Sequence, residues 1–204
     1  MRNKKASENS KWYKRSQEIF SNYDNEIILI GIPKCAFNTL RDCLPLPFKY
    51  GHYSYDFIFN HHGLDRDKHK VITFTRNPWD RMVSWFSFHQ SIDAFPYKDF
   101  DKWVLGGCKH GSWNLPVSYF HPENPLNMHE WIDGDISNAD YIGSIETIDE
   151  DMIKIGEKFG VKIGDVKKLN TSSHKDYREM YNDKTRDKIS EIFAKDIEMF
   201  GYKF

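Results

Sequence analysis

Lys34, Arg76 and Ser84 are the residues whose types and spacing point most directly to chemistry. Lys34 follows the apolar run Ile27-Ile28-Leu29-Ile30, which Gly31 and Pro33 interrupt. Asn38-Thr39-Leu40-Arg41 then reads as the first turn of a helix. A strand that turns sharply into a helix aims several backbone N–H groups at one spot, with the helix dipole behind them. Such a spot binds anions, and the Lys34 ammonium is in reach of it. The stretch also suits an ordinary strand–turn–helix crossover with a surface lysine. It is not a Walker A loop, which needs a glycine directly before the lysine where this chain has Pro33. Arg76 ends a second β-branched run, Val71-Ile72-Thr73-Phe74-Thr75, at the kind of strand end where open parallel sheets bind ligands. Ser84 lies about two helical turns further on. A guanidinium and a hydroxyl converging there suit a second phosphate. Two anion sites at adjacent strand ends suit a ligand with two separated phosphate-like groups.

The elements that must position these residues follow from periodicity. Residues 27–30 and 71–75 are too short for helices and read as buried strands, with Tyr141-Ile142-Gly143 as another short strand. Phe48 to Tyr50 is a further short strand candidate. Pro78 suits the first turn of a helix that continues through His89. A short helix is expected within residues 11–22, others over 55–60 and 100–105, an amphipathic one over 146–159, and a last one over 183–200. Alternation of strands with helices implies an α/β fold, a three-layer sandwich around a central, mainly parallel sheet with a P-loop-like loop. The expected organisation is a tail and short helix over residues 1–22 and a single domain over 23–204. Residues 106–127, rich in Gly, Pro, Asn and aromatics, read as a lid or as a long structural loop.

Composition removes several classes. Lys and Arg total 29 against 30 Asp and Glu, a formal net charge of −1, so no basic excess points to nucleic acid. Cys35, Cys43 and Cys108 lack metal-ligand spacing and read as free thiols in a reducing compartment. No metal is expected. The N-terminus has no apolar signal-peptide core, and no run has the length of a membrane span. The expectation is a cytoplasmic protein of unspecified oligomeric state.

The pair IPKCAFNTL and RNPWDRMVSWF resembles the sulfotransferases that use 3′-phosphoadenosine 5′-phosphosulfate, and is most similar to their carbohydrate branch, the heparan and chondroitin type. YIGSIETIDEDM, LNTSSHKDY and DIEMFGY resemble family segments in the same order, so the likeness spans nearly the whole chain. The resemblance implies that Lys34, Cys35, Ala36, Phe37, Asn38 and Thr39 wrap the 5′-phosphosulfate. It also implies that Arg76 and Ser84 hold the 3′-phosphate and that Ser173 closes over the nucleotide. Phe37 stands where the family usually has a small residue, so its ring must point away from the phosphate. Asn38 replaces a usual hydroxyl and still offers a donor.

The implied reaction is transfer of a sulfuryl group to an acceptor hydroxyl by in-line displacement, leaving adenosine 3′,5′-bisphosphate. Lys34 would stabilise the leaving oxygen, and a general base would take the acceptor proton. Of nine histidines, His52 is the expected base, because GHYSYDF resembles the segment that carries the catalytic histidine in uronyl 2-O-sulfotransferases. A carboxylate is the other option. His61 and His62 read as solvated. Arg81 is expected to pair with a carboxylate or to assist the phosphate. Trp103, Trp113, Tyr119 and His121 suit either a sugar-stacking wall or a small core. The acceptor is expected to be a small molecule or a glycan. The competing readings are a non-catalytic nucleotide- or glycan-binding module and a P-loop-like phosphoryl transferase.

Overall fold

The computed structural model describes residues 11–46, 51–91, 97–108, 125–166 and 176–204. The elements in chain order are α1 (Lys11–Phe20), β1 (Ile27–Ile30), α2 (Phe37–Cys43), a π-helical turn (Asp56–His61), β2 (Lys70–Thr75), α3 (Pro78–Ser91) and α4 (Phe100–Leu105). After them come β3 (Tyr141–Ser144), α5 (Ile148–Phe159), α6 (Asp183–Ile192) and α7 (Ala194–Phe200). The strands form one parallel sheet with β2 in the centre. Ile28 pairs with Val71 across one ladder and Thr73 with Ile142 across the other.

All four residues of β1 are buried, so both faces of this strand are covered. That is why β1 reads as an unbroken apolar run and not as an alternating one. Ile19 and Phe20 of α1, Leu40 of α2, and Met152 and Ile155 of α5 join the strand residues in one core cluster. A second cluster gathers Met82, Val83 and Phe86 of α3, Phe100, Trp103 and Val104 of α4, and Ile189 of α6. The expected α/β architecture with a parallel sheet is the one observed. The Phe48–Tyr50 candidate strand lies outside the described residues.

Local signals explain where the helices begin. The Asn77 side chain accepts from the backbone N–H groups of Trp79 and Asp80, at 3.1 and 3.5 Å, which caps α3 just before Pro78. Asn182 and Thr185 make a reciprocal capping box at the start of α6. The helix expected over 183–200 is broken instead at Phe193 (φ −108, ψ 23), giving α6 and α7. Phe193 is fully buried, and α7 presents a buried aspartate, Asp196, to the interior.

Asp196 ties the C-terminal helix to the middle of the chain. Its carboxylate accepts from the backbone N–H of Met128 at 2.7 Å and of His129 at 2.8 Å, and from His129 Nδ1 at 2.6 Å. These bonds satisfy the free N–H groups at the start of the 3-10 turn His129–Ile132. Asp196→Ala would leave these donors buried without a partner. The expected cost is about 3–5 kcal/mol of folding stability, read from a denaturant midpoint at unchanged slope.

Candidate active site

The carboxyl ends of the three strands lie side by side because all three run parallel. Lys34 follows β1, Arg76 follows β2, and Glu146 follows β3. Lys34 and Ala36 both have left-handed backbones, φ 68 and 54, and Ala36 precedes the first helical residue of α2. Two such residues in three fold the loop back on itself, and the Cys35 N–H closes the turn onto the Ile32 carbonyl at 3.2 Å.

Phe37 satisfies the steric requirement set by its size. Its ring is buried and lies on Gly31, where a Cβ would come within 2.2 Å of Phe37 Cδ2. Gly31 is therefore the residue that lets a phenylalanine occupy this position. Asn38 is exposed, whereas Cys35 and Thr39 are buried. Burial pushes the Cys35 thiol up to about 12, so it is not a nucleophile at neutral pH.

Two cations meet at this edge. The Arg76 guanidinium donates through Nε to Asp80 Oδ2 at 2.8 Å and through Nη1 to the Lys34 carbonyl at 3.1 Å. Among the described residues no acceptor takes a hydrogen bond from Lys34 Nζ, which lies over the Phe88 ring, 4.3 Å from its centroid. Burial, and then the charge of Arg76, bring the Lys34 ammonium down to about 8, with Cys35 opposing. A desolvated lysine with no carboxylate partner among the described residues, beside an arginine that Asp80 already pairs, leaves positive charge that fits an anionic ligand. Ser84 is buried on α3. Ser173 lies outside the described residues.

Arg81 is fully buried and makes no ion pair among the described residues. It donates instead to two carbonyls, Nε to Pro33 at 3.0 Å and Nη1 to Leu126 at 2.6 Å. It therefore holds the Lys34 loop against residues 125–132, and among the described residues no carboxylate pairs with it. Met128 works at the same joint, its Sδ accepting from the Arg76 N–H at 3.5 Å and from the Cys35 thiol at 3.9 Å. Sequence reasoning missed Met128. It also missed Glu146, which accepts the Asn77 N–H at 2.7 Å and takes the Ser144 hydroxyl.

His52 stands beside the loop. Its Nδ1 lies 2.6 Å from the Gly31 carbonyl oxygen. Since that oxygen carries no hydrogen, Nδ1 is the protonated nitrogen and Nε2 holds the lone pair. The ring sits against Phe37 (centroids 4.6 Å apart) and Trp131 (6.3 Å), while part of the residue still reaches solvent. Burial lowers the imidazole to about 4; the Gly31 bond opposes this, and the charges of Arg81, Lys34 and Arg41 add to it.

Other expectations resolve differently. His61 is exposed, but His62 is half-buried, with Nε2 at 3.0 Å from the Ser16 hydroxyl. Trp103 has no exposed surface and packs on Phe86 and Phe100, so it is core and not a sugar wall. Trp113, Tyr119 and His121 lie outside the described residues. No group of three His, Cys, Asp or Glu among the described residues could hold a metal ion. Among them no helix is long and apolar enough to cross a membrane.

A parallel α/β sheet here carries a cationic loop and an arginine at its carboxyl edge, a place suited to an anion. The chain belongs to the sulfotransferase family, whose sequence model matches residues 17–203. An Archaeoglobus fulgidus protein described as uncharacterized is 26% identical over 114 residues, covering 56% of this chain and 87% of that protein. Mouse sulfotransferase SULT7A1, solved in complex with PAP, is similar at a TM-score of 0.55 and 14% identity. The match covers 92% of this chain and 90% of the mouse chain, and at that identity it speaks to the fold.

Proposed function

We propose that this sulfotransferase takes its sulfuryl group from 3′-phosphoadenosine 5′-phosphosulfate and delivers it to a carbohydrate hydroxyl. The observation that carries the reading is the Lys34 ammonium, desolvated and with no carboxylate partner among the described residues, next to Arg76 at adjacent strand ends. When bound, the cofactor supplies an activated sulfuryl group and a bisphosphate leaving group.

Residues 34–39 bind its 5′ end, where backbone N–H groups and Lys34 balance the charge that grows on the leaving oxygen. Arg76 and Ser84 hold the 3′-phosphate, and Ser173 closes over the nucleotide. His52, through Nε2, takes the proton of the acceptor hydroxyl. The mouse sulfotransferase with bound PAP supports the choice of cofactor. The likeness of GHYSYDF and of the ordered C-terminal segments to the carbohydrate branch supports the acceptor class.

Calorimetric titration with adenosine 3′,5′-bisphosphate, with ATP as control, tests the cofactor. Micromolar or tighter binding of the bisphosphate and weaker binding of ATP is expected. A preference for ATP with magnesium would replace this reading by phosphoryl transfer. Incubation with the sulfonate donor and a panel of soluble oligosaccharides and simple phenols tests the acceptor class, and turnover of phenols alone would overturn it.

A further inference from the structure

The position of Lys34 carries an inference that rests on the cofactor reading above. Its backbone is pinned: φ is 68, its carbonyl accepts from Arg76, and the turn is closed by the Cys35 N–H. Any response of Lys34 to a ligand is therefore a rotation of its flexible side chain. In this structure the ammonium is held over the face of Phe88, 4.3 Å from the centroid. Phe88 is half-buried near the end of α3, and its ring also meets His89 edge to face at 5.5 Å.

We propose that Phe88 is a positioning residue that parks Lys34 over its ring in the free enzyme and releases the ammonium when the cofactor's anion arrives. A ring quadrupole attracts a cation less strongly than a phosphate oxygen that accepts a charge-assisted hydrogen bond. The handover therefore runs downhill, and the cation–π contact is given up on binding. Phe88 thus keeps a desolvated lysine in place beside Arg76 while no anion is present. It does so at the cost of some cofactor affinity. The sign of that effect separates parking from support: a ring that stayed on Lys34 in the complex would strengthen binding.

The test is titration of adenosine 3′,5′-bisphosphate into wild type, Phe88→Leu, Phe88→Met, Lys34→Met and the Lys34→Met/Phe88→Leu double variant. Leu and Met keep the apolar bulk and remove the quadrupole, and a thermal melt checks that each variant is folded. Phe88→Leu and Phe88→Met are expected to bind roughly two- to tenfold more tightly than wild type. In the Lys34→Met background, Phe88→Leu is expected to change nothing, a coupling that a purely structural role would not produce. Unchanged or weaker binding by both folded single variants would overturn the parking role while leaving the cofactor assignment standing. Absence of binding by wild type would overturn the cofactor assignment itself, and the parking role with it.

Discussion

His52→Asn is expected to lower kcat roughly 10²- to 10⁴-fold, the range of a lost general base, with little change in bisphosphate affinity. Asparagine keeps a donor near the position of Nδ1, so the bond to the Gly31 carbonyl has a replacement, but it offers no basic nitrogen. The pH dependence has a definite sign. The base acts only when neutral, so activity falls on the acid side. The free enzyme's imidazole lies at about 4 because of burial and then, against the Gly31 bond, the charges of Arg81, Lys34 and Arg41. The acid limb of kcat/KM is therefore expected near pH 4 and not near the ordinary histidine value of about 6.5. A bound polyanion offsets those cations, so the limb in kcat is expected at higher pH than the limb in kcat/KM. The same shift bears on stability. With the folded value below the unfolded one, the contribution of His52 is fully present above pH about 6.5 and is lost as pH falls through about 4. A variant with kcat within a few-fold of wild type would remove His52 from the base role and leave a carboxylate as the candidate.

The parts of this protein that sequence revealed are those whose signal is local. The β1 run Ile27–Ile30 is apolar throughout because both faces are covered, and its length rules out a helix. The loop was legible from Gly31 and Pro33, and the start of α3 from Asn77 and Pro78. What failed depended on partners distant in the chain. The carboxylate expected for Arg81 is absent among the described residues; Arg81 serves instead the carbonyls of Pro33 and Leu126, which lie in irregular segments and lack a ladder partner. No spacing in the sequence pairs those two positions. Trp103 suits either a sugar wall or a small core by its place beside a stretch rich in glycine and aromatics, and it is core. The better signal was Phe100, Trp103 and Val104 at helical spacing, all three buried on one face of α4. Asp196 also had a signal, since it continues the inward face of Ile189 and Phe193. An aspartate at an inward position is a reason to look for buried donors, here Met128 and His129.

Lys34→Ala is expected to weaken adenosine 3′,5′-bisphosphate binding and to lower kcat by roughly 10²- to 10³-fold, the scale of one lost charge-stabilising donor. The pH dependence again separates this role from a structural one. Burial, followed by Arg76, brings the free-enzyme ammonium to about 8, so above that pH the free site loses a positive charge. An anion seated there favours the charged form and raises the value again. Binding at pH 8 to 9 is therefore expected to draw a proton onto Lys34, and affinity is expected to decline as pH climbs further. Calorimetry in buffers of different ionisation enthalpy reads that uptake directly: it is expected in wild type, reduced near pH 7, and absent in Lys34→Ala. Lys34→Arg is not expected to rescue. A guanidinium is planar, stays charged throughout this range, and would meet Arg76, already placed on the Lys34 carbonyl and on Asp80. Equal proton uptake by wild type and Lys34→Ala would mean that another group meets the anion, and Lys34 would then be only the fixed point onto which Arg76 folds.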